Sequence, residues 1–190
     1  RRLKVANIFL ASDHHFGHSN ILTFDDNNGK KIRVFDHVDA MNEHMIERHN
    51  SVVRPEDKVY FIGDVTFSNR NLHLVGRMNG EKVLIKGNHD TLKVSQYVGY
   101  FKDIRGSHSI AGLIMTHIPI HPDSLARWGF NVHGHLHANR VMGAHGKEDP
   151  RYLNVAMEQI NYTPIALEEV RAIRVARGVL LPERHRGDPG

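Results

Sequence analysis

Five short polar motifs, each placed just after an apolar run, constrain this chain more than any other feature of its sequence. Short apolar runs rich in β-branched and aromatic residues predict buried strands. Functional sites in α/β proteins collect outside the carboxyl ends of such strands, so the five motifs are expected to meet. The motifs are Asp13-His14-His15, Gly63-Asp64, Gly87-Asn88-His89-Asp90, Thr116-His117 and Gly134-His135-Leu136-His137.

The motifs combine carboxylate, imidazole and amide groups, which are donors suited to divalent transition metals. The chain has no cysteine, so thiolate ligation and disulfides are excluded. Alternate side chains of a strand point the same way, so Asp13 and His15 are expected to share one ion while His14 faces elsewhere. His135 and His137 pair by the same logic, although in a loop they could serve different ions. Because two-metal sites recur in phosphate-ester hydrolysis, the pattern predicts a metal-dependent phosphoesterase.

Length and composition indicate one domain with a sizeable core. A chain of 190 residues with 40% hydrophobic and 24% charged residues is ordinary for a globular protein. No apolar run approaches the roughly 18–20 residues that cross a bilayer, so no membrane association is expected. The net charge of +4 is concentrated at the two ends of the sequence, which argues against a strongly basic folded face. The lack of cysteine fits a cytoplasmic location.

Strands and helices alternate early in the sequence, and strands dominate later. Helical spacing of apolar residues predicts a helix over Val38–Asn50 with Asp36 as its cap, and further helices near Asn69–Met78 and over Leu167–Arg177. A hairpin is expected around Gly106. Strands are expected at Val5–Ala11, Lys58–Ile62, Glu81–Lys86, Leu113–Thr116, Phe130–His133, Arg151–Ala156 and Tyr162–Ala166, and the hairpin within Phe101–Ile110. The order suggests an α/β sandwich of two mixed sheets over residues 1–178, followed by a flexible C-terminal tail, 179–190.

The ordered set of motifs resembles that of the calcineurin-like metallophosphoesterase superfamily. Its signatures D-x-H, G-D, G-N-H-D, a single H and G-H-x-H all occur in order between Asp13 and His137. The opening segment, residues 12–18, and the compact size are similar to the small bacterial and phage branch. The resemblance implies a calcineurin-like four-layer α/β/β/α sandwich of two mixed sheets flanked by helices. One difference is that Thr66 and Phe67 follow Gly-Asp-Val where many relatives carry a further acidic residue.

The resemblance also implies a role for each motif residue. Two divalent metal ions would be held, with Mn²⁺ favoured and Fe, Zn²⁺, Ni²⁺ or Co²⁺ also admitted by mixed nitrogen and oxygen ligands. The first ion would be held by Asp13, His15 and His137, the second by Asn88, His117 and His135, and both by the bridging carboxylate of Asp64.

Catalysis would then use a metal-bridging hydroxide, with His89 assisting the leaving group and Asp90 fixing the His89 imidazole by a hydrogen bond. His18, Asn20 and Arg33 follow the first motif and are expected to contact a substrate phosphate, although a role in the surface loop alone fits them as well.

The expected activity is that of a phosphodiesterase acting on nucleotides or cyclic nucleotides, because a chain this small has little room to grip a protein or a long polymer. A nuclease or a nucleic-acid end-processing phosphatase is the nearest alternative, which the basic ends would serve. A non-catalytic metal-binding scaffold is a remote alternative, since every ligand position is filled. The sequence does not indicate an oligomeric state.

Overall fold

The structure, a computed structural model that describes residues 6–182, contains two mixed β-sheets packed face to face. The first sheet consists of β1 (Ile8–Ala11), β2 (Lys58–Phe61), β3 (Glu81–Ile85), β4 (Asp103–Arg105) and β9 (Ile165–Ala166), in the order β4-β3-β2-β1-β9. The second consists of β5 (His108–Ile110), β6 (Leu113–Met115), β7 (Phe130–His133) and β8 (Tyr152–Asn154), in the order β5-β6-β7-β8. Only β9 and β5 run antiparallel to their neighbours within these two sheets.

Helices cover the outer faces of both sheets. The α-helices are α1 (Val38–Val52), α2 (Val94–Tyr97) and α3 (Leu167–Ala176), and the 3₁₀ helices are Ser19–Thr23, Asn69–Arg77, Pro122–Arg127 and Ala144–Gly146. Met41 and Met45 of α1 are fully buried in the cluster that packs on the outer face of the first sheet. Leu125, from the 3₁₀ helix Pro122–Arg127, packs with Ile114 and Tyr152 on the second sheet.

A separate hydrophobic cluster fills the space between the sheets. Leu10 and Ile62 meet Met115 and Val132 there, because alternate residues of each strand face the opposite sheet. Residues from α3 join the same cluster. The predicted four-layer sandwich of two mixed sheets flanked by helices is therefore confirmed. Within residues 6–182, none of the helices has the length and apolar character needed to span a membrane.

The predicted hairpin around Gly106 is wrong. β4 pairs in parallel with β3 of the first sheet, whereas β5 pairs antiparallel with β6 of the second. The turn between β4 and β5 therefore carries the chain from one sheet to the other. Two three-residue strands have too little apolar pattern to specify their partners, which are chosen by contacts distant in sequence.

The ends of two predicted elements also differ. The cap of α1 is His37 and not Asp36, since His37 Nδ1 accepts a hydrogen bond from the backbone N–H of Ala40 at 3.1 Å. Residues 179–182, assigned above to a flexible tail, contact the folded core: Val179 and Leu181 pack against the cluster between the sheets. The rest of that predicted tail and Val5, the first residue of the strand predicted at Val5–Ala11, lie outside the described residues.

Candidate functional site

The five polar motifs lie at the carboxyl ends of strands from both sheets, as the sequence predicts. Three follow the parallel strands β1, β2 and β3, and two follow β6 and β7. Backbone hydrogen bonds join neighbouring motifs, from Asp13 N–H to Gly63 O and from Gly134 N–H to His117 O, both at 3.0 Å. Side chains from distant parts of the chain are thereby brought to one place.

One group of side chains that could hold a metal ion, called the first cluster here, consists of Asp13, His15 and His137. Their ligand atoms all lie within 4.8 Å of one another. His15 Nε2 is 3.7 Å and His137 Nε2 is 3.9 Å from Asp13 Oδ1. This is the set that the resemblance assigns to one ion.

The second cluster consists of Asp64, His117 and His135, whose ligand atoms also lie within 4.8 Å of one another. His117 Nδ1 is 2.8 Å from the carbonyl oxygen of Ile62 and donates to it. The other ring nitrogen, Nε2, therefore carries the lone pair, and it lies 3.1 Å from Asp64 Oδ2 and 3.0 Å from Asn88 Oδ1. Asn88 joins this cluster, as the resemblance implies.

Asp64 faces both clusters with the same oxygen atom. Its Oδ2 is 3.7 Å from His15 Nε2 of the first cluster and 3.1 Å from His117 Nε2 of the second. A carboxylate oxygen at this position can serve an ion on either side. This is the position that the resemblance assigns to a bridging ligand.

The backbone of the ligand residues is unusual. Five of the nine non-glycine residues with positive φ within 6–182 belong to the two clusters, namely Asp13, His15, Asp64, His135 and His137, with φ between 49° and 68°. Left-handed backbone at such residues is uncommon and tends to occur at functional sites. β1 ends at Ala11. The alternation of an extended strand is therefore the wrong reason for grouping Asp13 with His15, although the grouping itself is found.

Two glycines make room for the ligands. A Cβ on Gly87 would collide with the carboxylate of Asp64, and one on Gly134 would collide with the carboxylate of Asp13. Any larger residue at either position would push a ligand out of place. The glycines of the G-N-H-D and G-H-x-H motifs are thus required by packing against the neighbouring motif.

The clusters are electrostatically coupled in the metal-free protein. Burial alone would raise the pKa of Asp13, but His15, His117 and His137 outweigh it and hold the pKa well below its ordinary value. Burial likewise opposes the net effect at Asp64, whose pKa is lowered by His117. Both carboxylates are consequently ionised at neutral pH.

The imidazoles divide into two kinds. Burial lowers the pKa of His15 and of His135. Burial would also lower the pKa of His117 and His137, but a carboxylate partner raises each above its ordinary value, Asp64 for His117 and Glu158 for His137. Each cluster therefore contains one imidazole that is readily neutral and one that holds a proton more tightly.

The donor set fits divalent cations. Two buried carboxylates converge with four imidazoles, and both ring nitrogens of His15 are buried without a hydrogen-bond partner among the described residues. Buried polar atoms normally have partners. A metal ion in the first cluster would supply a partner for one of these nitrogens. The nitrogen and oxygen ligands of both clusters suit Mn²⁺, Fe, Zn²⁺, Ni²⁺ or Co²⁺.

The predicted pairing of Asp90 with the His89 imidazole is corrected by the structure. The Asp90 carboxylate is buried and accepts hydrogen bonds from the backbone N–H groups of Asp64 and Gly87, each at 2.8 Å, and of Val65 at 2.9 Å. Burial raises the pKa of Asp90. Asp90 therefore fixes the loop that carries Asp64 and does not orient His89.

His89 itself lies exposed at the mouth of the site, close to both clusters. Its backbone N–H donates to Asp64 Oδ1 at 2.9 Å. Its ring contacts that of Phe67 edge to face, with centroids 4.4 Å apart, and lies 5.8 Å from the ring of His15. This position suits a group that meets the substrate.

The three predicted substrate contacts have different environments. His18 lies beside the first cluster, 5.6 Å from the ring of His15, and burial lowers its pKa to about 4. Asn20 is exposed in the 3₁₀ helix Ser19–Thr23, and its backbone carbonyl accepts from Thr23. The prediction that Arg33 contacts substrate is wrong. Arg33 is only 1% exposed, and its guanidinium donates to Glu158 and to a backbone carbonyl beside the first cluster. A buried guanidinium with these partners cannot meet a substrate phosphate.

Sequence reasoning missed two residues of this site. Glu158 lies behind His137, with Oε1 3.2 Å from His137 Nδ1, and Phe67 packs against the rings of His15, His18 and His89. Glu158 follows the apolar residues 155–157, so the rule that found the other motifs could have found it. Phe67 was noted only as a departure from the usual pattern.

Comparisons with known proteins give one curated relative and several similar structures. The uncharacterized protein MJ1445 from Methanocaldococcus jannaschii is 34% identical over 180 residues, covering 87% of this chain and 90% of its own length. The crystal structure of AQ665, a protein of unknown function from Aquifex aeolicus, matches with a TM-score of 0.67 and 25% identity over 89% of this chain and 100% of the other. A novel archaeal phosphodiesterase matches with a TM-score of 0.46 and 20% identity over 79% and 82% of the two chains. No protein-family model matches the chain.

Proposed function

Because this chain belongs to the same family as the uncharacterized protein MJ1445, whose name specifies no activity, we propose its function from the site itself: a phosphoester hydrolase that uses two divalent metal ions. One observation carries the proposal, namely that Asp64 Oδ2 faces His15 at 3.7 Å and His117 at 3.1 Å, between two clusters of metal-binding side chains. The ordered motifs of calcineurin-like metallophosphoesterases support the same function.

The two clusters would hold the ions, one with Asp13, His15 and His137 and the other with Asn88, His117 and His135, with Asp64 shared. When bound, such ions would lower the pKa of water and offset charge on the phosphoryl oxygens.

His89 is the residue that would protonate the leaving group. The backbone N–H of His89 donates to the shared carboxylate of Asp64, and this hydrogen bond keeps the exposed imidazole of His89 close to that carboxylate. An imidazole placed there can deliver a proton to the departing oxygen, which is the role of a general acid. Phe67 restricts the ring of His89 by edge-to-face contact.

A phosphodiester substrate, such as a nucleotide or cyclic nucleotide, agrees best with the charges around the clusters. A monoester carries a second negative charge that a nearby guanidinium would match. The guanidinium that lies against the first cluster is that of Arg33, and it is occupied by the Glu158 carboxylate at 2.6 Å. A singly charged diester does not need this guanidinium as a partner.

A substrate panel tests this proposal. A bis-aryl phosphodiester, an aryl phosphomonoester, cyclic mononucleotides and single-stranded DNA are each assayed with Mn²⁺ and with chelator. We expect hydrolysis only with metal, and faster turnover of the diester than of the monoester. Equal rates would refute the diester preference, and no hydrolysis of any substrate after metal loading would refute the function. A dominant, strongly salt-sensitive activity on DNA would favour the nuclease alternative.

His89 gives the matched test of mechanism. His89→Ala is expected to keep both metal ions and to lower turnover of the diester by about 10²–10⁴-fold, the typical contribution of a general acid. His73→Ala makes the same change at an exposed histidine outside the site and should have no effect. Unchanged turnover in His89→Ala would remove His89 from the mechanism.

A further inference from the structure

A buried ion pair lies directly behind the first cluster. Glu158, placed four residues after the end of β8, has one carboxylate oxygen, Oε1, within 2.6 Å of Arg33 Nε and 3.2 Å of His137 Nδ1. The side chains of Arg33 and Glu158 are 0% and 6% exposed. One buried oxygen atom thus links a guanidinium from the loop after β1 to a candidate metal ligand from the loop after β7.

This contact settles which nitrogen of His137 can bind an ion. Nδ1 faces Glu158, so it is the nitrogen that donates, and Nε2 carries the lone pair 3.9 Å from Asp13 Oδ1. The backbone carbonyl of His137 is held separately, by Asn154 Nδ2 at 2.9 Å and Gln159 Nε2 at 3.0 Å. Glu158 therefore acts on the orientation of the ring and not on the course of the chain.

Arg33 extends the same contact to the other two ligands of the first cluster. Its guanidinium donates to the backbone carbonyl of Asp13 and, at 2.9 Å, to that of His14. These carbonyls belong to the left-handed segment that presents Asp13 and His15. Arg33 and Glu158 together therefore tie all three ligand residues of the first cluster to one another.

Stability alone is a poor explanation for this pair. Burying two charges costs free energy, and well-packed apolar residues often replace a buried ion pair without loss. The second carboxylate oxygen of Glu158 is buried without a hydrogen-bond partner among the described residues, which a purely stabilising carboxylate would not leave. The second cluster has no corresponding ion pair among those residues, and its His117 is oriented by a backbone carbonyl.

We propose that Arg33 and Glu158 are positioning residues for one of the two metal ions, the one held by Asp13, His15 and His137. The proposal rests on the metal-dependent function proposed above. Loss of the pair lowers the affinity of the first cluster and leaves the second cluster occupied. The pair does not touch the substrate.

The test measures metal binding and not activity alone. Glu158→Gln keeps the shape of the side chain and removes its charge. The wild-type protein is expected to take up two Mn²⁺ per chain by isothermal titration and to retain them in elemental analysis after dialysis. Glu158→Gln should retain one ion tightly and bind the other about 10–100-fold more weakly, the usual effect of losing a partner of a metal ligand.

Glu43→Gln is the matched control, because Glu43 also accepts from an arginine, Arg77, at 2.6 Å through each carboxylate oxygen, and neither residue contacts a ligand of the two clusters. It should bind both ions normally. Arg33→Lys keeps the charge but not the three-way contact, and it should weaken the same single ion; it also serves as the test if Glu158→Gln does not fold.

Two results would overturn the positioning role. One is wild-type affinity for both ions in Glu158→Gln and Arg33→Lys, and the other is equal weakening of both ions. If the wild-type chain itself binds no metal, the proposed function fails instead, so the two failures are distinguishable.

Discussion

Each cluster combines one aspartate with two histidines, to which Asn88 adds an amide in the second, but different contacts hold the two clusters in place. The first, Asp13, His15 and His137, is fixed by the charged side chains of Arg33 and Glu158, which are 125 residues apart in the sequence. The second, Asp64, His117 and His135, is fixed by groups of the neighbouring motifs, and the backbone N–H of His135 donates to Asp13 at 2.9 Å. His117 donates to the carbonyl of Ile62, and the backbone N–H of Asp64 is held by Asp90 from the adjacent motif.

The ligands of one motif can thus be held by neighbouring motifs or can depend on partners elsewhere in the chain. The supports of the second cluster lie inside the D-x-H, G-D and G-N-H-D motifs or directly beside them. Those of the first lie in a surface loop and after the last strand of the second sheet. The first cluster is therefore the one that mutations outside the motifs can disturb.

Substitution of Asp64, which faces both clusters, should cost more metal and more activity than substitution of Asp13, which belongs to one cluster. Asp64→Asn should remove both ions, because its carboxylate faces both clusters, and turnover should fall to the level measured with chelator. Asp13→Asn should cost mainly the ion of the first cluster. Metal analysis after dialysis and diester turnover are measured on both variants. Retention of two ions in Asp64→Asn would show that the clusters do not share a ligand.

Asp90 supports the second cluster by fixing the backbone of Asp64, and its loss should lower both stability and metal affinity. Asp90→Ala removes the acceptor of three backbone N–H groups, and at about 1–3 kcal/mol for each buried group left without a partner the free energy of unfolding should fall by at least ~3 kcal/mol. Urea denaturation of the metal-free protein measures this loss. The ion of the second cluster should also bind more weakly, because Asp64 loses its fixed position.

Asp57→Ala is the matched control for that prediction. Asp57 is also buried and accepts from the backbone N–H groups of Asn7 and Arg54, at 2.8 and 2.9 Å, but it lies outside both clusters. It should lose stability and keep both ions. Normal metal affinity in Asp90→Ala would contradict the assignment of Asp90 as a support of Asp64.

Proton release should be alike at the two clusters despite their different supports. The pKa of one imidazole in each, His137 and His117, is raised above its ordinary value near 6.5, and only the neutral form can bind an ion. Near pH 7 each binding step should therefore release up to about one proton. Titrations in buffers of different ionisation enthalpy measure the number.

The pH dependence of folding stability follows from the same pKa shifts. In the metal-free protein, protonation of His117 and His137 stabilises the fold fully below about pH 6.5, and this contribution is lost as the pH rises through their raised pKa. With metal present the dependence over this range reverses, because higher pH favours binding. Since Glu158 raises the pKa of His137, Glu158→Gln should release fewer protons at the first cluster only. Equal release there and in the wild type would contradict the orientation given to His137.

The sequence predicted the sandwich and most strands, because these follow from apolar runs, and the resemblance to a known family supplied the grouping of the candidate metal ligands. Strand alternation pairs His135 with His137, whereas the structure places them in different clusters. Prediction from the sequence failed where a residue's partner is distant in the chain or where several partners are available to it. The β4 and β5 segments join different sheets, and Asp90 serves backbone groups that no side-chain pattern reveals. Arg33, in a polar loop, was expected to meet substrate and instead pairs with Glu158. Left-handed backbone at aspartate and histidine also leaves no mark in composition.

Among the described residues, a phenylalanine ring stacks on a ligand of the first cluster and not on one of the second, and its substitution should have a small effect. Phe67 stacks on His15, with centroids 5.3 Å apart, and meets the ring of His89 at 4.4 Å. An aromatic contact of this kind contributes about 0.5–1.5 kcal/mol, so Phe67→Leu should lower kcat at most about tenfold and leave both ions bound. Phe24→Leu, at a phenylalanine of similar exposure that contacts only His18 among the site rings, should change kcat little. A rise in KM for aryl diesters with unchanged kcat would instead place the exposed face of Phe67 against the substrate, and the loss of an ion would mean that the ring supports His15 as a ligand.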